Sequence, residues 1–291
     1  MYEKMYANLH FHSTHSDGED TIGKLIEIAL EEGYKALALA DHNTVTGWTE
    51  MEEECKSAGL NFLKATEFSV GSKTFDTDFH IVGFDFDAEE PDMSAYLKEM
   101  SEAQINKTKN GFKYCLENGI IQDIIWEEIE SDNKGLMYLC HDHIFRTMKK
   151  KGILKNKDYV SFCEGWVKIP REKPFEYREP REIISLIKNA GGVAVLAHPN
   201  EKFQYVEELV KMGLGGIESW HPELTDEEAV YAEELAKKYN LYISGGTDHS
   251  GLMGGQYKFY EGKDENPFYT PSLKYGATEE NFMKLKERIL G

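Results

Sequence analysis

The stretch NLHFHSTHSDG, residues 8–18, decides how the rest of this chain is read. It opens on a short strand-like run, residues 9–11, and sets His10 and His12 on alternate positions. Alternate side chains of a strand share a face, so both imidazoles point the same way. Asp17 follows at once in HSDG. Working outward, the arrangement recurs. Asp41 and His42 come directly after KALALA, and Glu67 directly after NFLKAT. His80 lies at the start of FHIVGF. His198 follows VAVLA, Glu218 ends GGIE, and Asp248 and His249 follow LYISGGT.

Helical patterns separate these strands. In residues 21–32 the apolar Ile22, Leu25, Ile26, Ala29 and Leu30 fall at helical spacing, and Gly33 sits where a helix-ending glycine belongs. Further helices are predicted near 46–58, 181–190, 202–212, 226–239 and 278–290. Alternating strands and helices imply parallel strands with helices outside. About seven such units predict an α/β fold, a closed or nearly closed barrel, with its chemistry at the C-terminal ends of the strands.

The pattern changes between residues 89 and 180. One long helix is expected over 92–118, broken near Gly111, then shorter ones near 123–130, 141–151 and 156–165, then the stretch IPREKPFEYREP. The expected organisation is a barrel from 1–88 and 181–291 carrying a mostly helical insertion, 89–180, read as a cap or lid over the barrel mouth. The aromatic residues Phe112, Tyr114, Trp126 and Tyr138 are expected to form the insertion's own core.

Composition narrows the function. The chain has 291 residues, 33 Lys and Arg against 52 Asp and Glu, and a net charge of −19. That balance argues against a protein gripping long DNA or RNA through phosphates. Arginine occurs only at 146, 171, 178, 181 and 288, so arginine-rich phosphate clamps must be few. The basic run KKKGILKNK, 149–157, reads as a solvated helix end. The four cysteines form no CxxC pair, which excludes a disulfide framework or thiolate zinc site as the default. No apolar run approaches the ~18 residues that cross a bilayer, and the first residues show no apolar leader segment. The expected location is cytoplasmic.

Strand after strand thus ends in His, Asp or Glu. A lone histidine is more often structural than a ligand, but a structural protein has no reason to repeat the placement around a barrel. Imidazole and carboxylate are the ligands of Zn, Mn and Fe. Eight or nine candidates exceed what one ion takes, so two or three ions sharing a bridging carboxylate are expected, a site suited to hydrolysis of phosphoesters or amides. His15 lies in a loop beside this set, and His221 stands two or three residues past a strand, between rim and surface.

NLHFHSTHSDG, LADHNT, ATEFS, DFHIVGF, VLAHPN and GGTDHSG resemble the motifs of the PHP (polymerase and histidinol phosphatase) superfamily over residues 8–251. LCHDHIFRTMKKKGIL and REIISLIKNAGGVAVLAHP are similar to the insertion and its exit in the stand-alone phosphoesterase branch. The resemblance implies a distorted (β/α)7 TIM-like barrel with a mostly helical insertion, in which His10, His12, Glu67 and Asp248 hold a first ion. Glu67 would bridge to a second held also by His80 and His198. Asp17, His42 and His249 would hold a third. Two departures stand out. Many relatives read Asp-x-His where Asp248 and His249 are adjacent here, and Arg-Pro-His where this chain has His141, Asp142 and His143.

The function expected is hydrolysis of a small phosphomonoester, a nucleotide or nucleoside 3′,5′-bisphosphate, by a metal-activated water, with two or three divalent ions (Mn, Fe or Zn). Glu67 and His249 would serve at the ions, and His143 and Arg146 would reach in from the insertion to orient the phosphate. The partner would be a small phosphorylated substrate, with no long nucleic acid and no membrane. The alternatives are a 5′-exonuclease on short RNA or DNA, a histidinol-phosphate phosphatase, and, last, a non-catalytic metal-binding module.

Overall fold

The computed structural model describes residues 5–169, 176–251 and 274–290; residues 170–175 of the Pro-, Lys- and Glu-rich stretch, with Arg171, lie outside. Chain order begins with β1 (Ala7–Asn8), α1 (Ile22–Glu32), β2 (Ala36–Leu39), α2 (Trp48–Ala58), β3 (Asn61–Ser72) and β4 (Thr77–Phe84). The helices α3 (Pro91–Glu117), α4 (Trp126–Asp132), α5 (His141–Lys150) and α6 (Tyr159–Val167) follow. The alternation resumes with α7 (Pro180–Asn189), β5 (Val193–Leu196), α8 (Val206–Met212), β6 (Gly216–Glu218), α9 (Asp226–Tyr239), β7 (Tyr242–Ser244) and α10 (Glu279–Leu290).

The seven strands pair in chain order from β1 to β7. β1, β2 and β3 run parallel, as do β5, β6 and β7. β4 is the exception, antiparallel to both neighbours. Its link to β3 is too short for a crossover helix, so the two strands form a hairpin. The reversal explains a detail of the sequence. His80 sits early in its strand, and an antiparallel strand begins where its parallel neighbours end. Past the named strands, Leu9 N–H donates to Gly245 O, and the N–H groups of Thr247 and Asp248 to His10 O, which draws the two sheet edges together.

The interior is filled by small residues that let the strands curl tightly, among them Ala7, Ala36, Ala38, Ala65 and Ala197, with Val195 and Phe84. The outer layer packs α7, α8 and α9 on the sheet through residues such as Ile183, Ile187, Leu209 and Ala232. α1 shows why its segment folds: Thr21 accepts the Lys24 N–H at the N-cap, Gly33 closes the end at φ 92°, and Ile22, Leu25, Ile26 and Ala29 are its buried face.

The helices between β4 and α7 gather a separate apolar cluster around Phe112, Trp126, Ile144, Phe145 and Phe162. The first turns of α3 do not belong to it: Met93, Tyr96, Leu97 and Met100 pack in the main core. One 27-residue helix therefore ties the two bodies together. It runs through Gly111 without the expected break. Gly111 is there for packing, because a Cβ would come within 2.6 Å of the Trp166 ring. Of the four aromatics assigned to this core, Phe112 and Trp126 are in it. Tyr114 and Tyr138 instead line the cleft described below. Among the described residues no helix is long and apolar enough to cross a membrane.

Candidate metal centre

Glu67 lies at the centre of the strand ends, 1% exposed. β3 delivers it, and its two carboxylate oxygens face different groups. Oε2 lies 3.3 Å from His10 Nε2, 3.4 Å from His12 Nε2 and 3.2 Å from His42 Nδ1. Oε1 lies 2.8 Å from His80 Nδ1 and 3.0 Å from His198 Nε2. Asp248 joins the first group, with Oδ1 at 2.9 Å from His12 Nε2 and 3.8 Å from His10 Nε2. Asp17 faces a third pair of rings, 3.6 Å from His12 Nδ1 and 3.5 Å from His42 Nε2.

The donor atoms of His10, His12 and Glu67 cluster within 4.8 Å of one another, as do those of Glu67, His80 and His198, and those of His12, Asp17 and His42. His10 Nε2, His12 Nδ1 and His42 Nδ1 are buried without a hydrogen bond, although carboxylate oxygens lie 3.2–3.6 Å away. Imidazoles and carboxylates that converge and still leave these three ring nitrogens unsatisfied fit a divalent cation such as Zn, Mn or Fe. The backbone is strained at two of these positions: His198 has φ 25° and Asp248 φ 50°, a region non-glycine residues enter at a cost.

Electrostatics follow from this crowding. Burial disfavours charge on His12, but the Asp17, Asp248 and Glu67 carboxylates outweigh it and raise its pKa to about 9. Burial likewise opposes charge on His10, and Glu218 and Glu67 reverse that, holding its pKa well above the usual value. Burial would push the Glu67 carboxyl up, yet the His80, His42 and His10 rings hold it well below the usual range. On His42 burial prevails, and its pKa falls. Metal ligation requires deprotonated rings, so ions compete with these protons. Titrating metal-free protein with Mn at pH 7 should release about two protons per chain, chiefly from His10 and His12. Calorimetry in buffers of different ionisation enthalpy measures this, and a proton-neutral binding heat would contradict the assignment of both rings.

Three supporting residues are more deeply involved than their sequence positions suggested. Glu218 brackets His10 Nδ1, with its oxygens at 3.1 and 3.2 Å, and accepts the His198 N–H at 2.8 Å. It holds a proton on His10 Nδ1, so that Nε2, toward Glu67, is the nitrogen a cation takes when the ring gives up its other proton. Asp41 accepts from Ser13 N, Ser13 Oγ and Ser16 Oγ and so ties down the loop after β1. His221 is neither rim nor surface: it is 1% exposed, with Nε2 3.8 Å from Asp248 Oδ2. Its Nδ1 accepts the Glu223 N–H, which leaves the proton on Nε2, a buried group without a hydrogen-bond partner beside Asp248.

Three of the expected residues are held elsewhere in this structure. His249 does not join the cluster. It pairs with Asp20 at 2.8 Å, because adjacent side chains diverge and Asp248 already takes the inward position. His143 is buried at the start of α5, where Nδ1 accepts the Cys140 N–H at 3.0 Å. Arg146 gives its guanidinium to the carbonyls of Thr14, Ser16 and Gly18. Neither of these last two is among the residues that line the cleft described next. His15 bonds Thr46 and faces Glu50, outside the cluster.

The cluster opens into a cleft of about 1330 Å³ between the β3–β4 hairpin and the helices α3, α5 and α6. Asp17, His42 and His80 form its floor. Tyr138 lies over His42, ring centroids 6.3 Å apart and planes within 28°. His141 stacks on Trp166 at 5.7 Å and 19°. The lysines on the wall are Lys73, Lys107 and Lys113, and Lys73 is paired with Glu176 at 2.7 Å.

Known proteins resemble this chain in sequence and fold. A family model described as PHP domain matches residues 8–254. The chain is similar to a phosphoribosyl 1,2-cyclic phosphate 1,2-diphosphodiesterase of Eggerthella lenta, 27% identical over 256 residues, covering 86% of this chain and 96% of that one. It is similar to a 3′,5′-nucleoside bisphosphate phosphatase of Chromobacterium violaceum, 28% identical over 259 residues, 86% and 89% of the two chains. Its fold matches a candidate metal-dependent phosphoesterase from Bifidobacterium adolescentis, with a TM-score of 0.79 over 99% of this chain and 98% of that one, at 23% identity.

Proposed function

The chain belongs to the PHP domain family, and from that premise we propose that it is a metal-dependent phosphoesterase acting on a small phosphate ester. The observation that carries the proposal is the division of Glu67, one oxygen toward His10, His12 and His42 and the other toward His80 and His198. A carboxylate so placed suits two cations held side by side. In this reading His10, His12, Asp248 and Glu67 hold one ion, and Glu67, His80 and His198 hold the other. Asp17 and His42 offer a third, weaker position, since the remaining ring facing them, His12, turns its other nitrogen to the first group. When bound, the ions supply Lewis acidity, which acidifies a water nucleophile and offsets charge on the phosphoryl oxygens.

The protein's own residues do the rest. Glu67 sets the spacing between the two positions, and Glu218 holds His10 in its tautomer. The cleft takes the leaving group. Its volume is ample for a nucleotide-sized molecule, and Tyr138 with the His141–Trp166 pair offers flat surfaces to a ring. Its wall is poorly cationic. Asp76, Asp78, Glu176 and Glu179 stand among the three lysines, so a polynucleotide would set phosphates against carboxylates. That supports a small substrate over an oligonucleotide.

We propose a nucleotide or nucleoside bisphosphate as the substrate class. A second reading, a small cyclic phosphodiester, is favoured by one observation: Arg146 is spent on carbonyls, so a second dianionic phosphate would meet lysine alone. A panel decides between them: 3′,5′-bisphosphoadenosine, AMP, a ribose cyclic phosphate, histidinol phosphate and a short RNA, assayed with Mn-loaded enzyme. Selective turnover of the bisphosphate supports the first reading, and of the cyclic ester the second. Preference for the RNA would contradict the small-substrate proposal, and no turnover of any ester by metal-loaded protein would overturn the function.

A further inference from the structure

The loop that carries Asp17 is held from two sides, and one side belongs to the helical segment. Its main chain is tight: Ser16 and Gly18 both donate to Ser13 O, and Thr14 donates to Asp20 O. From the barrel side Asp41 grips it through Ser13 and Ser16, at 2.5–2.8 Å. From the other side Arg146 of α5 gives Nη2 to Thr14 O at 3.3 Å and to Ser16 O at 3.2 Å, and Nη1 to Gly18 O. These three carbonyls bracket Asp17. One turn on, Lys149 pairs with Glu19 at 2.6 Å. The loop has nowhere to retreat, since a Cβ on Gly18 would lie 2.4 Å from His12 O.

Arg146 has no carboxylate within ion-pair range among the described residues, so its charge is turned wholly on this main chain. Guanidinium suits such a contact because it is planar, always charged, and presents several donors in one fixed fork. Lysine offers a point charge that cannot hold three carbonyls in one plane. The contact spans 128–132 residues of sequence, from a helix outside the barrel to the loop after its first strand.

We propose that Arg146 is a positioning residue for the cation position at Asp17 and His42, so that the helical segment completes the centre as a fixed strut. The proposal rests on the metal-centre reading above. It makes the β1–α1 loop a part whose geometry is set by α5. Loss of the fork frees Thr14, Ser16 and Gly18 and lets Asp17 leave its place opposite His42, while Glu67 and its two groups stay where β3, β4 and β5 put them.

The test is metal titration of the metal-free full-length chain, wild type against Arg146→Met, Arg146→Lys and Asp17→Asn, with circular dichroism confirming the fold. Binding is followed by calorimetry with Mn and by ions counted per chain after dialysis. For Arg146→Met the weakest binding step should weaken by about 10–100-fold while the tighter steps are unchanged. Arg146→Lys should not restore it. Asp17→Asn should show the same loss, and the Arg146→Met/Asp17→Asn double variant should be no worse than Asp17→Asn alone. If Arg146→Met proves unfolded, Arg146→Lys and the Asp17→Asn cycle carry the test. A wild-type titration profile in the Arg146 variants, or full additivity in the double variant, overturns the proposal. A wild-type chain that takes up no ion overturns the metal reading instead.

Discussion

Replacing Glu67 with glutamine is expected to lower kcat/KM by about four orders of magnitude and to leave the protein short of tightly bound metal. The change is nearly isosteric, so the space at the strand ends stays filled. What it removes is one negative charge shared by two groups of imidazoles. Neither group retains enough anionic donors. His80 Nδ1 and His198 Nε2 lose the carboxylate they both face, and His10 Nε2 and His12 Nε2 keep Asp248 on that side. A carboxamide is a weak neutral ligand whose NH2 would face imidazole nitrogens. The effect should therefore appear in metal content as well as in rate. Losing activity while keeping the full complement of ions would refute a bridging role for Glu67.

Removal of metal is the second large effect. Chelation should abolish turnover, Mn should restore it, and the melting temperature should fall by roughly 5–15 °C, the size expected when ligands held 100–1,000-fold above their Kd are withdrawn. The loss should depend on pH. In the metal-free protein His10, His12 and His198 carry pKa values raised above 6.5. Groups raised in the folded state stabilise it below the unfolded pKa and lose that contribution as pH rises, for His12 through about 9. Chelation should thus cost less stability at pH 6 than at pH 9, because protons replace the ions at low pH. Melting curves with and without chelator at the two pH values measure this. An equal or larger loss at pH 6 would contradict the protonation scheme.

Much of this centre is legible in the sequence because strand ends are local features. The residues His10, His12, Glu67, His198 and Asp248 each close an apolar run, and a parallel barrel gathers such positions at one mouth. His80 follows the same rule in an inverted strand, and its early position in FHIVGF already carried that signal. Harder to read are residues whose roles depend on which way one side chain turns. Asp248 and His249 are neighbours, and the φ of 50° at Asp248 decides which of them faces inward. His221 lies past the end of β6 and returns under Asp248 through a turn that sequence spacing does not describe. Arg146 looks like a phosphate clamp by type. Only the fold brings it to the carbonyls of a loop 128 residues earlier. Tyr138 has the composition of a core residue, and it borders the cleft because the extended segment before α5 passes over His42.

Glu67 is the one residue that both groups of imidazoles share, so the most direct measurement is anomalous diffraction from crystals grown with Mn. Two strong peaks are predicted, one on each side of the Glu67 carboxylate, the first within coordination distance of His10, His12 and Asp248 and the second of His80 and His198. A weaker third peak beside Asp17 and His42 is consistent with this arrangement. A single peak, or peaks that leave Glu67 out of coordination, would contradict it.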